Sequence, residues 1–573
     1  MVATQELRDL KVSLGIGFGK FVGDDDIQNP LSLLSKEFDF RPNRSKNFDK
    51  GGTPSYDKWF RGDATMFGGV EYFFSNLKGL SIKLEYDPYD YSDFSARNRK
   101  DALDSLRKKD SDINIGFSLP YNKYLTIDAS YIKGNTFNLS FNVGATFNGR
   151  LRKNKDFKPN ITKVSENSNN EMAFYEDLLH NLNTNNLLMQ TASLSDNKLD
   201  VSISTSQHRN AIRSSSYAGF IAHEVFLKHD IDVSQINISH INAGIELNNI
   251  SYILKHLDKN SNVPVEIVQK YTALDSGNKE NYKKHAFKPS ISFPVIFSSL
   301  KPALVAHIGN PEKFYFGGID LQHNTEIQFS RNLLFTSQIN IRLDDNFKNT
   351  ISGPGSKMEH VRTDLVDYLK EDDMHIKRMQ LDYIWSPYKD FYTKISGGIY
   401  ETMFGGIGIE ALYKPFSKKY NIGFELFHVK QRAFEQKFNF QDYSTTTGHI
   451  NFSYKFIAGI ESNISYGRYL AKDDGFTFDL SRTTNSGFKA GIYFTRTDVP
   501  AELFGEGSFD KGFYFQIPMD LITGRYQGEY FSFKLSPLTR DGGAKLIHDK
   551  DLRGLIYNTT HYELNRQWKG FSN

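Results

Sequence analysis

The chain of 573 residues contains no cysteine, which removes disulfides, thiolate nucleophiles and cysteine metal sites together. Tryptophan is scarce, with 3 residues against 47 Phe and 31 Tyr. No apolar run approaches the roughly 18 residues that a spanning helix needs, which excludes a helical membrane protein. Charge of one sign is also lacking. The 70 basic and 67 acidic side chains leave +3, mixed along the chain rather than blocked, so there is no electrostatic footprint for nucleic acid. Met1-Val2-Ala3-Thr4-Gln5 has neither the basic nor the apolar region of an export signal. Either the protein is not exported or the sequence begins after its signal, and the strand pattern favours the second.

Residue-by-residue alternation is what the sequence has in quantity, most clearly from about Ile407 to Leu535. Ile450, Phe452, Tyr454 and Phe456 interleave with Asn451, Ser453 and Lys455. Phe476, Phe478 and Leu480 interleave with Thr477, Asp479 and Ser481, and Phe531, Phe533 and Leu535 with Ser532, Lys534 and Ser536. Successive side chains of a strand point to opposite faces, so each segment has one apolar and one polar face. A soluble sandwich and an outer-membrane barrel share this period; they differ in whether the polar face meets solvent or lines a lumen. Two features favour the barrel. The aromatic share is 14%, and aromatics suit strands and membrane-interface girdles. The connections also alternate in length. Those near 519–528, 483–487, 457–460, 414–420 and 387–390 are short. Between them fall long ones, 431–446, 498–511 and 537–555, although 401–405 and 471–475 are short too.

Taken in order, the first strand pattern is Val12, Leu14, Ile16 and Phe18 against Ser13, Gly15, Gly17 and Gly19. A polar connection runs from Gly23 to Arg61, and strands follow around 64–73, 79–87, 110–118, 123–132 and 137–145. About six strands are too few for the smallest barrels of about eight, so strands are missing upstream or these join the later sheet. From Lys153 to Asn170 the chain reads as a linker. Glu171 to Leu187 carries a helical stripe of Phe174, Leu178 and Leu182. Leu199, Val201 and Ile203 mark a strand, Ala218 to Phe226 a helix, and Ile236, Ile238 and Ile241 another strand. This predicts a small α+β domain over 151–285. Strands resume near Lys301, with an insert at 344–377 holding a short helix, Thr363 to Glu371. About 12–14 strands are expected. The predicted domains are 1–150, a first barrel incomplete at its N-terminus, 151–285, and 286–573, a second barrel.

At this point several motifs resemble one family. Glu401-Thr402-Met403-Phe404-Gly405-Gly406-Ile407-Gly408, Leu412-Tyr413-Lys414-Pro415 and Gly467-Arg468-Tyr469-Leu470-Ala471 are similar to hallmarks of YjbH/GfcD-type outer-membrane proteins. So are Phe504 to Gly512, Pro537 to Gly543, Leu14 to Gly19, Asn29-Pro30, Trp59 to Gly62 and Phe67 to Tyr72. The resemblance implies a bacterial outer-membrane lipoprotein encoded with exopolysaccharide or group 4 capsule genes. Its implied architecture is two antiparallel β-barrels from one chain with a periplasmic domain, here 151–285, between them. Its implied role is secretion or surface assembly of polysaccharide, with outer-membrane lipid, polysaccharide and periplasmic or outer-membrane export proteins as partners. Family members carry a lipoprotein signal, a lipidated cysteine and more residues before the first motif; these are absent here, in line with the six-strand shortfall.

If the polar faces line a lumen, the interior of the second barrel carries Arg342, Glu410, Lys455, Asp479, Lys489, Gln516 and Lys534, with Tyr493 and Tyr514 nearby. Mixed charge and aromatic rings suit a hydrated glycan; the competing reading is that these groups pair with one another and stiffen or plug the barrel. Glu502, Glu506 and Asp510 could suggest acid/base chemistry or calcium, but their spacing is not that of an EF-hand, and a folded loop is the plainer reading. Asp473 and Asp474 read as a loop tip. His223-Glu224 with His229 lacks the spacing that sets two metal ligands one helical turn apart. The glycines at 15, 17 and 19 lie inside a strand pattern, not between strand and helix, which argues against a dinucleotide site. No catalytic residue, metal site or cofactor is expected. The expectation is a non-enzymatic exopolysaccharide export or assembly component. A general porin, a polysaccharide-modifying enzyme and a structural scaffold are the alternatives.

Overall fold

A computed structural model of the chain describes residues 2–18, 27–42, 60–74, 76–77, 79–89, 108–122, 125–143, 161, 170–229, 231–257, 263–277, 281–308, 315–349, 357–370, 374–504, 509–524, 526–535 and 541–571. The resembling residues at 19, 59, 505–508 (with Glu506) and 537–540, residues 350–356 and 371–373 of the insert, and nearly all of the linker 153–170 lie outside these. The protein is mainly β, in large antiparallel sheets. It divides into two compact units, Met1–Arg150 with Pro311–Phe314, and Leu151–Asn310 with Tyr315–Asn573. Among the described residues no helix is long and apolar enough to cross a membrane, which says nothing about strands.

The first unit holds a seven-stranded sheet in chain order: β1 (Val2–Leu7), β2 (Leu10–Phe18), β3 (Ala64–Phe74), β4 (Leu80–Tyr86), β5 (Ile113–Asn122), β6 (Leu125–Ile132) and β7 (Thr136–Val143). The sequence reading missed β1. Its residues, VATQEL, scatter apolar side chains over both faces and are all exposed, so the strand rests on its ladder to β2, from Val2↔Gly15 to Leu7↔Leu10.

The second unit begins with the α+β part. Helix α1 (Glu171–Thr184) is capped by the Asn170 side chain, which accepts from Met172 N, and buries Phe174, Tyr175, Leu178 and Leu182 along one stripe. Strands β8 (Leu188–Ser195), β9 (Lys198–Ser204), β10 (Gln235–Asn242), β11 (Ile245–Ile253) and β12 (Ala273–Ser276) form a sheet in the order β12-β11-β10-β9-β8. Only β9 and β10 run parallel, because α2 (Ala211–His229) makes the crossover between them. Phe174, Leu178, Ile221, Val225, Val201, Ile238 and Ile250 meet in one apolar core. The sequence pattern identified α1 and α2 but missed β8, β11, β12 and α3 (Val265–Tyr271).

Thirteen strands follow, each antiparallel to its sequence neighbours. They are β13 (Val295–Ile308), β14 (Tyr315–Gln328), β15 (Leu333–Asp345), β16 (Met374–Tyr388), β17 (Phe391–Ile399), β18 (Phe404–Tyr413), β19 (Tyr420–Arg432), β20 (Phe440–Lys455), β21 (Ile460–Arg468), β22 (Asp474–Thr483), β23 (Lys489–Thr497), β24 (Asp510–Pro518) and β25 (Tyr530–Leu535). Among the described residues no ladder joins β25 to β13; the structure establishes one large antiparallel sheet.

Two connections differ from expectation. The region 431–446 contributes only residues 433–439 to a loop, because β19 and β20 continue their ladder as far as Arg432↔Phe440. The described part of 537–555 is not a rim loop at all. From Asp541 onward it runs over the polar face of the sheet, drawn there by buried charges that need partners.

Candidate functional site

The two faces of the thirteen-stranded sheet follow opposite chemistry. Ile407, Ile422, Phe424, Ile450, Phe452 and Ile464 are exposed, Ile407 at 66% and Ile450 at 59%. The alternate positions, Lys394, Glu410, Asn421, His449, Asn451, Ser453 and Ser465, are buried, with Lys394 at 0%. A water-soluble sheet places these the other way round.

The buried face is organised in transverse rows by the strand register. Lys394 is opposite Glu410, Glu410 opposite Glu425, and Glu425 opposite His449. Lys394 Nζ lies 2.5 Å from Glu410 Oε1 and 3.6 Å from Asp382 Oδ1, and His449 Nδ1 lies 3.1 Å from Glu425 Oε1. Charges so deep are tolerated only when paired and hydrogen-bonded.

The remaining partners come from the C-terminal tail, 541–571. At one rim Asp541 accepts the backbone N–H groups of Arg362 (2.8 Å) and Thr363 (3.0 Å) and the Thr363 hydroxyl (2.7 Å). Gly543 N donates to Asp473 Oδ2 at 2.7 Å. Asp473 lies in the turn 469–473 between β21 and β22, as the sequence suggests, but it is not an exposed tip: it is 4% exposed, and burial pushes its carboxyl up. Midway, Lys394 Nζ donates to the carbonyls of Asp549 (3.1 Å) and Lys550 (3.0 Å), and Leu552 N donates to Glu410 Oε2 at 3.0 Å. Leu552 and Ile556 pack against Leu334, Ile384, Tyr392 and Leu412 of the sheet and Ile245 and Leu247 of β11.

At the opposite rim the tail forms helix His561–Asn565 with a capping box between Thr560 and Glu563. Glu563 Oε2 accepts from Thr559 N and Thr560 N, while Oε1 pairs with Lys414 at 2.9 Å and with Lys455. Burial would push the Glu563 carboxyl up; the two ammonium groups overcome it and hold the carboxyl below the usual carboxylate range. Burial pushes Lys414 down, against the pull of Glu563.

Beyond that helix the tail enters the α+β part. Ala211 N donates to Gln567 Oε1 at 2.6 Å, Arg213 Nε donates to the Gly570 carbonyl at 3.1 Å, and Trp568 and Phe571 join the apolar core. This rim carries the short turns 329–332, 414–419, 456–459 and 484–488. The α+β part is fastened to it by Arg209, whose Nη2 lies 2.6 Å from both Asp520 oxygens. Asn332 adds a donor to the Ala243 carbonyl at 3.4 Å.

Residues 1–561 match the family described as "Exopolysaccharide biosynthesis protein YbjH", the YjbH family. The chain belongs to the YjbH family. A relative from Escherichia coli strain K12, named "Uncharacterized lipoprotein YjbH", is 26% identical over 569 residues, covering 95% of this chain and 77% of the relative.

In this YjbH-family chain six of the nine expected interior residues are direct cross-strand partners: Asp479 with Tyr493, Lys489 with Gln516, and Tyr514 with Lys534. Tyr514 donates to Asp479 Oδ1 at 2.9 Å. Lys489 lies 5.8 Å from the Tyr514 ring centroid and Lys534 4.7 Å from that of Tyr493. Arg342 is held apart from this group by Asp320 and Asp345 on the β14–β15 side. Glu410 belongs to the central row, and Lys455 to the Glu563 cluster. The sequence reading missed Lys394, Asp382, Glu425 and His449, although the same alternation flags them. It also missed Lys414 and the tail, for which no periodic signal exists. His229 pairs with Asp177 at 2.9 Å inside the α+β core.

Proposed function

We propose that this chain takes part in exopolysaccharide or capsule secretion or assembly at the bacterial outer membrane. In this reading the thirteen-stranded sheet closes as a transmembrane barrel, the seven-stranded sheet belongs to a second one, and the α+β part stands in the periplasm. The observation that carries it is the inverted sheet. Its apolar side chains face outward, where only lipid makes them favourable, and its charges face an interior filled by the chain's own tail. Single-chain barrels have short periplasmic turns, and the α+β part docks on the short-turn rim. Membership of a family described by exopolysaccharide biosynthesis supplies the class of cargo.

The filled interior favours a second reading, in which the sheet is a closed anchor and the protein organises polymer at the membrane rather than conducting it. Deleting the gene in its native host and measuring polysaccharide separately in periplasm and at the surface tests both. Polymer trapped in the periplasm supports export. Normal surface amounts with altered length or attachment support assembly, and an unchanged polymer in both compartments refutes both.

A further inference from the structure

Where the short-turn rim, the tail and the α+β part meet, a cleft of about 350 Å3 opens, within the size range of small-molecule sites. Five basic residues line it, Arg209, Arg213, Lys455, Arg566 and Lys569, against three acidic ones, Asp520, Glu461 and Glu563. The acids already have partners. Asp520 holds Arg209, Glu563 holds Lys414 and Lys455, and Glu461 lies 3.5 Å from Arg553 of the tail. Among the described residues, Arg213, Arg566 and Lys569 have no carboxylate within ion-pair distance.

The two arginines are held in place without being neutralised. Arg213 stacks 4.3 Å from the Tyr526 ring centroid and spends only Nε, on the Gly570 carbonyl. Arg566 lies 5.9 Å from the Tyr562 centroid and uses Nη2 for the Thr483 carbonyl (2.8 Å) and Asn485 Oδ1 (3.3 Å), leaving Nε and Nη1. Their remaining N–H groups form preorganised forks, the geometry that matches a carboxylate. Two turn glycines keep the cleft open. Gly459 (φ +77°) and Gly487 (φ +90°) adopt backbone angles that favour glycine, and a Cβ at Gly487 would overlap the Arg209 guanidinium.

We propose that this cleft binds an acidic, carboxylate-bearing sugar residue of the polymer, with Arg213, Arg566 and Lys569 meeting the charge and the tyrosine-lined wall meeting the ring. The inference rests on the exopolysaccharide reading above and names the substrate class for it. Anionic lipid headgroups carry a charge that the same cations would meet, but the cleft is walled by the rim turns, the tail and the α+β part rather than being a flat basic surface.

Equilibrium titration of the full chain in detergent, with tri-galacturonate and neutral maltotriose as probes, tests it. Tri-galacturonate is expected to bind at least about tenfold more tightly than maltotriose and to weaken with added salt. R213Q/K569Q should lose about tenfold in affinity. K569E should lose more; Lys569 is exposed, so its thermal unfolding should match the parent's. Equal affinity for the two sugars, no tri-galacturonate binding at millimolar concentration, unchanged affinity in both variants, or binding of phosphatidylglycerol vesicles alone would overturn the proposal. A gene-deletion strain with unchanged polymer would break the broader reading. A deletion defect fully rescued by R213Q/K569Q, together with unchanged affinity, would break only this inference.

Discussion

The α+β part and the thirteen-stranded sheet are built by one chain on opposite rules. The first buries Phe174, Leu178, Ile221 and Ile238 and turns Asp200 and Asn237 outward. The second buries Lys394, Glu410 and His449 and turns Ile407 and Phe452 outward. An apolar core needs only volume and shape, whereas a charged one needs a partner for every ion, and the tail supplies those the strands cannot. What separates the two regions is which chemistry each buries.

The comparison can be broken most forcefully at its two cores. Phe174→Ala should cost about 3–5 kcal/mol through the cavity it leaves, read by denaturant unfolding. Glu563→Ala should cost a similar amount, about 3–5 kcal/mol, by stranding the buried Lys414 ammonium and the partly buried one of Lys455; replacing Glu563, Lys414 and Lys455 together with apolar residues should recover most of it. If the single and triple replacements behaved alike, the charged core would be packing like an ordinary one. A step smaller, Ile450→Arg on the outward face should cost about 2–4 kcal/mol of stability in lipid if that position lies near mid-membrane, measured by folding into vesicles.

Acid should separate the regions next. Burial holds His240 down to about 4, partly opposed by its bond to Asn248, and burial with the Arg213 charge nearby holds His208 down to about 4. Both are neutral when folded, so their contribution is intact above the unfolded value near 6.5. It is lost as pH falls from there toward 4, by about 2 kcal/mol for each histidine at pH 5. Tryptophan fluorescence of Trp568, packed in that core, should report unfolding at a higher pH than in a His240→Gln variant. The smallest effect is expected at Arg468 and Asp474, exposed at 54% and 42%. Asp474→Asn should leave the unfolding midpoint unmoved, since such pairs contribute little.

Much of this contrast is legible in the sequence where periodicity carries it. The stripe of Phe174, Leu178 and Leu182 and the alternation of Ile450 to Lys455 announce a buried helix face and a two-faced strand. The tail is not legible, because its main contacts use backbone carbonyls. Lys394 donates to the Asp549 and Lys550 carbonyls and Lys414 to that of Ile556, groups that every residue possesses. Asp473 looks like a loop acid until Gly543, 70 residues away, is seen to donate to it. Strand β1 is hidden for a related reason: its ladder to β2 is a backbone ladder, joined by the exposed Thr4–Ser13 and Glu6–Lys11 contacts, which no periodicity announces.

The absence of cysteine makes the decisive measurement clean. Single-cysteine variants at positions 450 to 454, spin-labelled in protein folded into lipid, can be scanned for collision with oxygen, which concentrates in the bilayer, and with a water-soluble nickel chelate. An outward apolar face predicts high oxygen and low nickel accessibility at 450, 452 and 454, and low accessibility to both at 451 and 453. Nickel accessibility at 450, 452 and 454 equal to that of a water-exposed turn would contradict a lipid-facing sheet.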